Sequence, residues 1–99
     1  ALFAEPISAR QADAWGMIWE AVEDNAFETH WRARAAHLAS GPTEAYGAMK
    51  QAIRGSWDHG FKGQLDQEAR LQGACGRTRD FQEGVLAFLE KRKATFEGR

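Results

Sequence analysis

Thr78-Arg-Asp-Phe-Gln-Glu-Gly-Val-Leu-Ala-Phe-Leu-Glu-Lys-Arg-Lys-Ala-Thr-Phe-Glu-Gly-Arg99 is the stretch whose reading decides the fold. Thr78 suits a helix N-cap, and Asp80 puts negative charge at the positive end of the helix dipole. Phe81, Val85, Phe88 and Leu89 then recur at i, i+4, i+7 and i+8, the spacing of one apolar helical face. Lys91, Arg92 and Lys93 bring positive charge to the end where the dipole is negative. The chain upstream reads as helical packing around this terminal element.

Working outward, most of the chain repeats the helical pattern. Ile7–Gly16 reads as a short helix. Ser8 and Gln11 fit a capping box, Ile7 and Ala12 a hydrophobic staple, and Gly16 a left-handed C′ position. Met17-Ile-Trp-Glu-Ala-Val22 is apolar and partly β-branched, which predicts a strand. That strand has no evident partner for its backbone groups, so either the segment is not a strand, or it pairs with another copy, or, as favoured here, the chain is a fragment of a larger fold. Asn25 and Glu28 signal a helix to about Ser40, with Phe27, Trp31, Ala35, Leu38 and Ala39 on its apolar face. Gly41-Pro42 stops it, and Pro42 suits the first position of the next helix. That helix carries Ala45, Met49, Ala52 and Ile53 and ends at Gly55; Gly47 within it predicts a close helix contact. Ser56-Trp-Asp58 reads as a turn with Asp58 as cap. A helix bearing Phe61, Leu65, Ala69, Gln72 and Cys75 then runs to Gly76.

Composition narrows the function. Ninety-nine residues make one small domain or a piece of a larger one. A formal net charge of −1 gives no electrostatic footprint for nucleic acid. No apolar run is long enough to span a membrane, and no signal-peptide pattern opens the chain. Cys75 is the single cysteine, so no internal disulfide can form, which fits a reducing, cytoplasmic setting. Four tryptophans and six phenylalanines either fill a dense core or cover surface that a partner buries.

No catalytic constellation emerges from the residues. His30, Arg34 and His37 share a helical face, but arginine cannot take the middle ligand position of a metal site, and a solvated polar face is the simpler reading. His59 reads as a turn residue and Cys75 as a small hydrophobe without a base to activate it. Asp66 and Glu68, two apart on a helix, do not face each other. Gly60-Phe-Lys-Gly63 lacks the spacing of a phosphate loop. The basic tail is the one place where charge and aromatics combine. Lys91, Arg92 and Lys93 lie among Phe88 and Phe96 and could hold phosphates beside a base ring, with dipole compensation as the plainer alternative.

The order D-x-x-E-G-V-x-A-F-L-E-K-R, from Asp80 to Arg92, resembles the C-terminal signature of the enoyl-CoA hydratase/isomerase (crotonase) family. The resemblance extends over Ala1 to Arg99. Ile7-Ser-Ala9, Ala12, Gly16-Met-Ile18, Leu38-Ala39 with Pro42, Lys50 and Glu68 fall where the family has similar residues. Ala14-Trp-Gly-Met-Ile-Trp-Glu20, Gln64-Leu-Asp-Gln-Glu68 and Gly76-Arg-Thr-Arg-Asp80 look most like the phenylacetate-degradation branch, whose isomerase converts ring-epoxidised phenylacetyl-CoA to the oxepin form. Ala94 departs from a common proline, and Ala4 stands where glycine is usual.

The resemblance implies a mainly α chain with one short strand near its start, the C-terminal trimerisation part of a ββα-spiral fold. Residues 1–23 would end the core, and residues 24–99 would form the helical oligomerisation domain. The oxyanion hole and acid/base carboxylates of such an enzyme belong to the N-terminal core, so no catalytic residue is expected here. The chain alone should be inactive. Phe88 and Lys91 match the Phe and Lys of A-F-x-x-K, which approach the coenzyme A of a neighbouring subunit. The implied partners are an acyl-CoA substrate and further copies in a trimer or dimer of trimers, with no prosthetic group. The competing reading is a stand-alone helical module that binds a protein through its Trp and Phe faces.

Overall fold

A computed structural model describes residues 2–99, and its regular elements are helices: α1 (Ala9–Ala14), α2 (Asp24–Ala39), α3 (Thr43–Gly55), α4 (Phe61–Cys75) and α5 (Arg79–Leu89). The chain falls into two compact units, one ending at Arg34 and one spanning Ala35–Arg99. No helix among the described residues is long and apolar enough to cross a membrane.

In the first unit α1 forms where local signals place it. The Ser8 hydroxyl accepts from the Gln11 N–H at 3.1 Å. Gly16, at φ +70, occupies C′, and the Gly16 and Met17 amides donate to the Asp13 and Ala12 carbonyls, the Schellman pattern. The expected strand over Met17–Val22 is absent; these residues are bends and irregular chain. A strand needs a neighbour for its backbone groups, and none lies beside this segment among the described residues. Instead the Ala21 N–H donates to the Asp13 carboxylate at 3.0 Å. Ala4 has φ +51, a left-handed conformation that glycine adopts without strain.

α2 starts at Asp24, so Asn25 lies inside the helix and does not cap it. Its apolar face is present but open: no α2 residue is buried. The His30–Arg34 face is not simply solvated. His30 Nε2 lies 2.6 Å and Arg34 Nη2 3.2 Å from Glu20 Oε1. The hydrogen bond from His30 holds the Glu20 carboxyl below its ordinary range, with the charges of His30 and Arg34 adding to the effect. Arg10 makes an ion pair with Glu23.

In the second unit α3 and α4 pack as an antiparallel pair. Pro42, expected at the first helical position, is instead the N-cap of α3, which begins at Thr43. Glutamines tie the pair together. Gln64 Nε2 donates to the Ala52 carbonyl at 3.2 Å, and the buried Gln67 amide lies against Gly55, where a Cβ would sit 2.7 Å from Gln67 Oε1. The close approach therefore occurs at Gly55. Gly47, expected to mark one, has open space around it. Gly60, not Asp58, caps α4. Gly60 has no side chain to cap with, and Asp58 lies two residues before it and makes no capping hydrogen bond to α4.

Beyond α5 the chain reverses and runs back along the helix. Phe96 lies over Gly84, with ring Cε1 3.7 Å from the position a Cβ would take, and Gly98 (φ +76) lies against Thr43. This return brings the last ten residues alongside the candidate site.

Candidate functional site

Thr78 caps α5 through its hydroxyl, which accepts from the Phe81 N–H at 3.1 Å. Asp80 was expected to be a dipole charge only, yet it is 4% exposed and does more. Its two carboxylate oxygens accept from the Glu97 N–H (2.7 Å) and the Gly98 N–H (2.9 Å), and its own N–H donates to the Arg99 carbonyl at 3.0 Å. The end of the tail is thus hydrogen-bonded to the first turn of α5.

The other end of the tail is fixed at the helix C-terminus. α5 stops at Leu89 with Glu90 as C-cap, so Lys91, Arg92 and Lys93 lie past the helix instead of completing its last turn. Lys91 takes the C′ position with φ +54, where glycine is the usual occupant. The Lys91 N–H donates to the Phe88 carbonyl (3.2 Å) and the Arg92 N–H to the Ala87 carbonyl (3.0 Å), again the Schellman pattern. A left-handed lysine costs about 1–2 kcal/mol relative to glycine and persists only where its surroundings hold it.

Arg92 supplies that hold. Its guanidinium forks onto Glu83, Nη1 to Oε1 at 2.6 Å and Nη2 to Oε2 at 2.8 Å, while Nε donates to Glu90 at 2.6 Å. The Thr95 N–H also donates to Glu83 at 2.8 Å. The fork from Arg92, then the Thr95 N–H, pulls the Glu83 carboxyl down to about 2. Of the three basic residues singled out from sequence, Arg92 is therefore occupied by carboxylates. Among the described residues no ion pair forms at Lys91 or Lys93, and both are exposed.

The depressed Glu83 pKa has a definite sign. A carboxyl at about 2 in the folded state and 4.5 ordinarily favours folding above pH 4.5, and that contribution fades as pH falls from 4.5 toward 2. Following the Glu83 carboxyl carbon by NMR should place its midpoint near 2. A midpoint near 4.5 would mean the fork is not closed in solution.

The apolar face read from sequence lines a groove of about 400 Å3. Phe81, Val85, Phe88 and Leu89 form one wall, Phe96 comes from the tail, and Cys75 and Ala45 come from α4 and α3. Phe88 is 82% exposed at its rim, three residues before Lys91. The arrangement joins an accessible aromatic ring, an apolar trough and an unpaired ammonium on a rigid turn. It contains no acid/base pair. Its chemistry suits an anionic, partly aromatic ligand. Sequence reasoning missed the roles of Asp80 and Glu83. The available signal was the run Asp80, Gly84, Ala87 at i, i+4, i+7, a small-residue face on which a returning chain can lie.

Comparison with known proteins gives the family. The family model described as Enoyl-CoA hydratase/isomerase matches residues 1–99. A Rhodobacter capsulatus protein named "Probable enoyl-CoA hydratase" is 57% identical over 99 residues, all of this chain and 38% of its own length. The 1,2-epoxyphenylacetyl-CoA isomerase of Escherichia coli K12 is 42% identical over 99 residues, again all of this chain and 38% of the relative. The crystal structure of a Geobacillus kaustophilus enoyl-CoA hydratase superposes with a TM-score of 0.90 at 28% identity, over 99% of this chain and 37% of that one. The chain thus spans a little over a third of the length of the relatives it matches. With the model matched from end to end and the helical arrangement shared, the chain belongs to the enoyl-CoA hydratase/isomerase, or crotonase, family.

Proposed function

We propose that this chain is the C-terminal part of an enzyme acting on an acyl-CoA thioester, in which it supplies contacts between subunits of a homo-oligomer and part of the coenzyme A site. The observation that carries the reading is Lys91. It stands in a strained left-handed turn where glycine is preferred, its ammonium has no carboxylate partner among the described residues, and the exposed Phe88 comes three residues before it. Strain retained at an exposed cation is better explained by a ligand than by stability. Lys91 would meet a phosphate and Phe88 the adenine or an apolar part of the ligand, with the chemistry carried out by groups outside these residues.

Lys91→Ala in the whole enzyme should raise KM for the acyl-CoA about three- to tenfold, the worth of one charge-assisted contact. Alanine is no better suited than lysine to positive φ, so the backbone strain is unchanged and the ammonium alone is tested. An unchanged KM would remove Lys91 from the site.

For the reaction, we favour isomerisation in phenylacetate degradation. The support is the motifs around Trp15, Gln64 and Arg77, together with 42% identity to the epoxyphenylacetyl-CoA isomerase. The 57% identity to a protein named for hydration favours the second reading, water addition to an enoyl-CoA. Supplying the whole enzyme with each substrate class and identifying the product by mass decides between them: hydration adds the mass of water and isomerisation adds nothing.

A further inference from the structure

We infer that Glu83 is a positioning residue for Lys91: through the fork to Arg92 it fixes the turn that presents the Lys91 ammonium. The inference rests on the coenzyme A reading above. Glu83 is half-buried on the tail side of α5, two turns before Lys91, and is not among the residues lining the groove. It cannot itself attract a phosphate, since its charge has the wrong sign. What it does is hold Arg92 by two hydrogen bonds and the Thr95 N–H by a third. Those contacts clamp the chain on the C-terminal side of Lys91, while the Phe88 and Ala87 carbonyls clamp the backbone through the Lys91 and Arg92 amides.

Lys91 is thereby held on both sides in a conformation it would otherwise leave. Releasing the fork lets the residue relax toward negative φ, which changes the direction in which the side chain leaves the turn. The fork also takes Arg92 out of competition for the ligand. With Glu83 removed, Arg92 keeps only its carboxylate contact to Glu90 and the fork no longer fixes its place. Because Glu83 titrates at about 2, it stays ionised across the range in which such an enzyme is assayed, so the clamp acts as a constant and not as a pH switch.

A double-mutant cycle in the whole enzyme separates this role from a merely structural ion pair. Lys91→Ala, Glu83→Gln and the double variant are compared for kcat and for KM of the acyl-CoA. Glu83→Gln should raise KM about two- to fivefold with kcat held within about twofold, and should add nothing once Lys91 is alanine. Arg92→Lys keeps the charge but cannot form the fork, and should reproduce the KM increase in a protein that still folds. An equal KM increase from Glu83→Gln on both backgrounds would overturn the inference, because the effect would then not pass through Lys91. So would no increase from Glu83→Gln or Arg92→Lys while Lys91→Ala still raises KM. If Lys91→Ala leaves KM unchanged, the coenzyme A reading itself fails and the positioning role fails with it.

Discussion

Asp80→Ala in the whole enzyme should lower its stability by about 2–4 kcal/mol and release the tail from α5. The Asp80 carboxylate is 4% exposed and is the acceptor for two backbone N–H groups, those of Glu97 and Gly98. Alanine leaves both donors without that partner, the Gly98 N–H at a half-buried position and the Glu97 N–H at an exposed residue, and each group left unsatisfied costs about 1–3 kcal/mol. It also removes negative charge from the first turn of α5, worth a few tenths of a kcal/mol more. Asp80→Asn should fall between, because its one remaining carbonyl oxygen can accept from only one side while its amide meets an N–H head-on. Denaturant melts of the three proteins give the ranking, and hydrogen exchange at the Glu97 and Gly98 amides reads the tail directly. If Asp80→Ala melts with the parent and those amides stay protected, the tail is held by something other than Asp80.

What was legible in the sequence is what local chemistry decides. The Ser8 cap, the Gly16 C′ turn, the Thr78 cap and the Phe81–Leu89 face all rest on residues within two helical turns of one another, and each is found as expected. Phe88 and Lys91 could be singled out because a motif carries them. The strand over Met17–Val22 was misread because apolar, β-branched composition records burial without saying what does the burying. Pairing is a property of a second segment. Gly47 misled in the opposite sense, because glycine in a helix marks space for an approach without naming the chain that makes it. The clamp on α5 stayed hidden because its partners are distant in sequence. Asp80 and Glu97 are seventeen residues apart, and Glu83 and Thr95 twelve. No helical periodicity links them.

The apolar helical faces, read as either a dense core or surface that a partner buries, decide the last prediction: the 99 residues expressed alone should show helical signal without a cooperative melt, and should self-associate. Among the described residues the only buried apolar side chains are Ala12 and Ala87. Phe27, Trp31, Leu65, Phe81 and Leu89, which the helical spacing assigns to inward faces, are all exposed, and Trp57 is 91% exposed. The chain leaves 8551 Å2 accessible, where a self-contained 11.1 kDa globular protein exposes about 5,700 Å2. Cooperative unfolding requires a shared core whose loss is all-or-none, and two alanines do not make one. Surface of this kind is covered in an obligate assembly or it aggregates. Tryptophan emission from the isolated chain should sit close to that of free tryptophan in water, and should shift to shorter wavelength in the whole enzyme as these rings are buried. Calorimetry and sedimentation of the isolated chain test the point together. A single sharp transition from a monodisperse monomer would instead support the stand-alone interaction module and remove the argument that these helices exist to be covered.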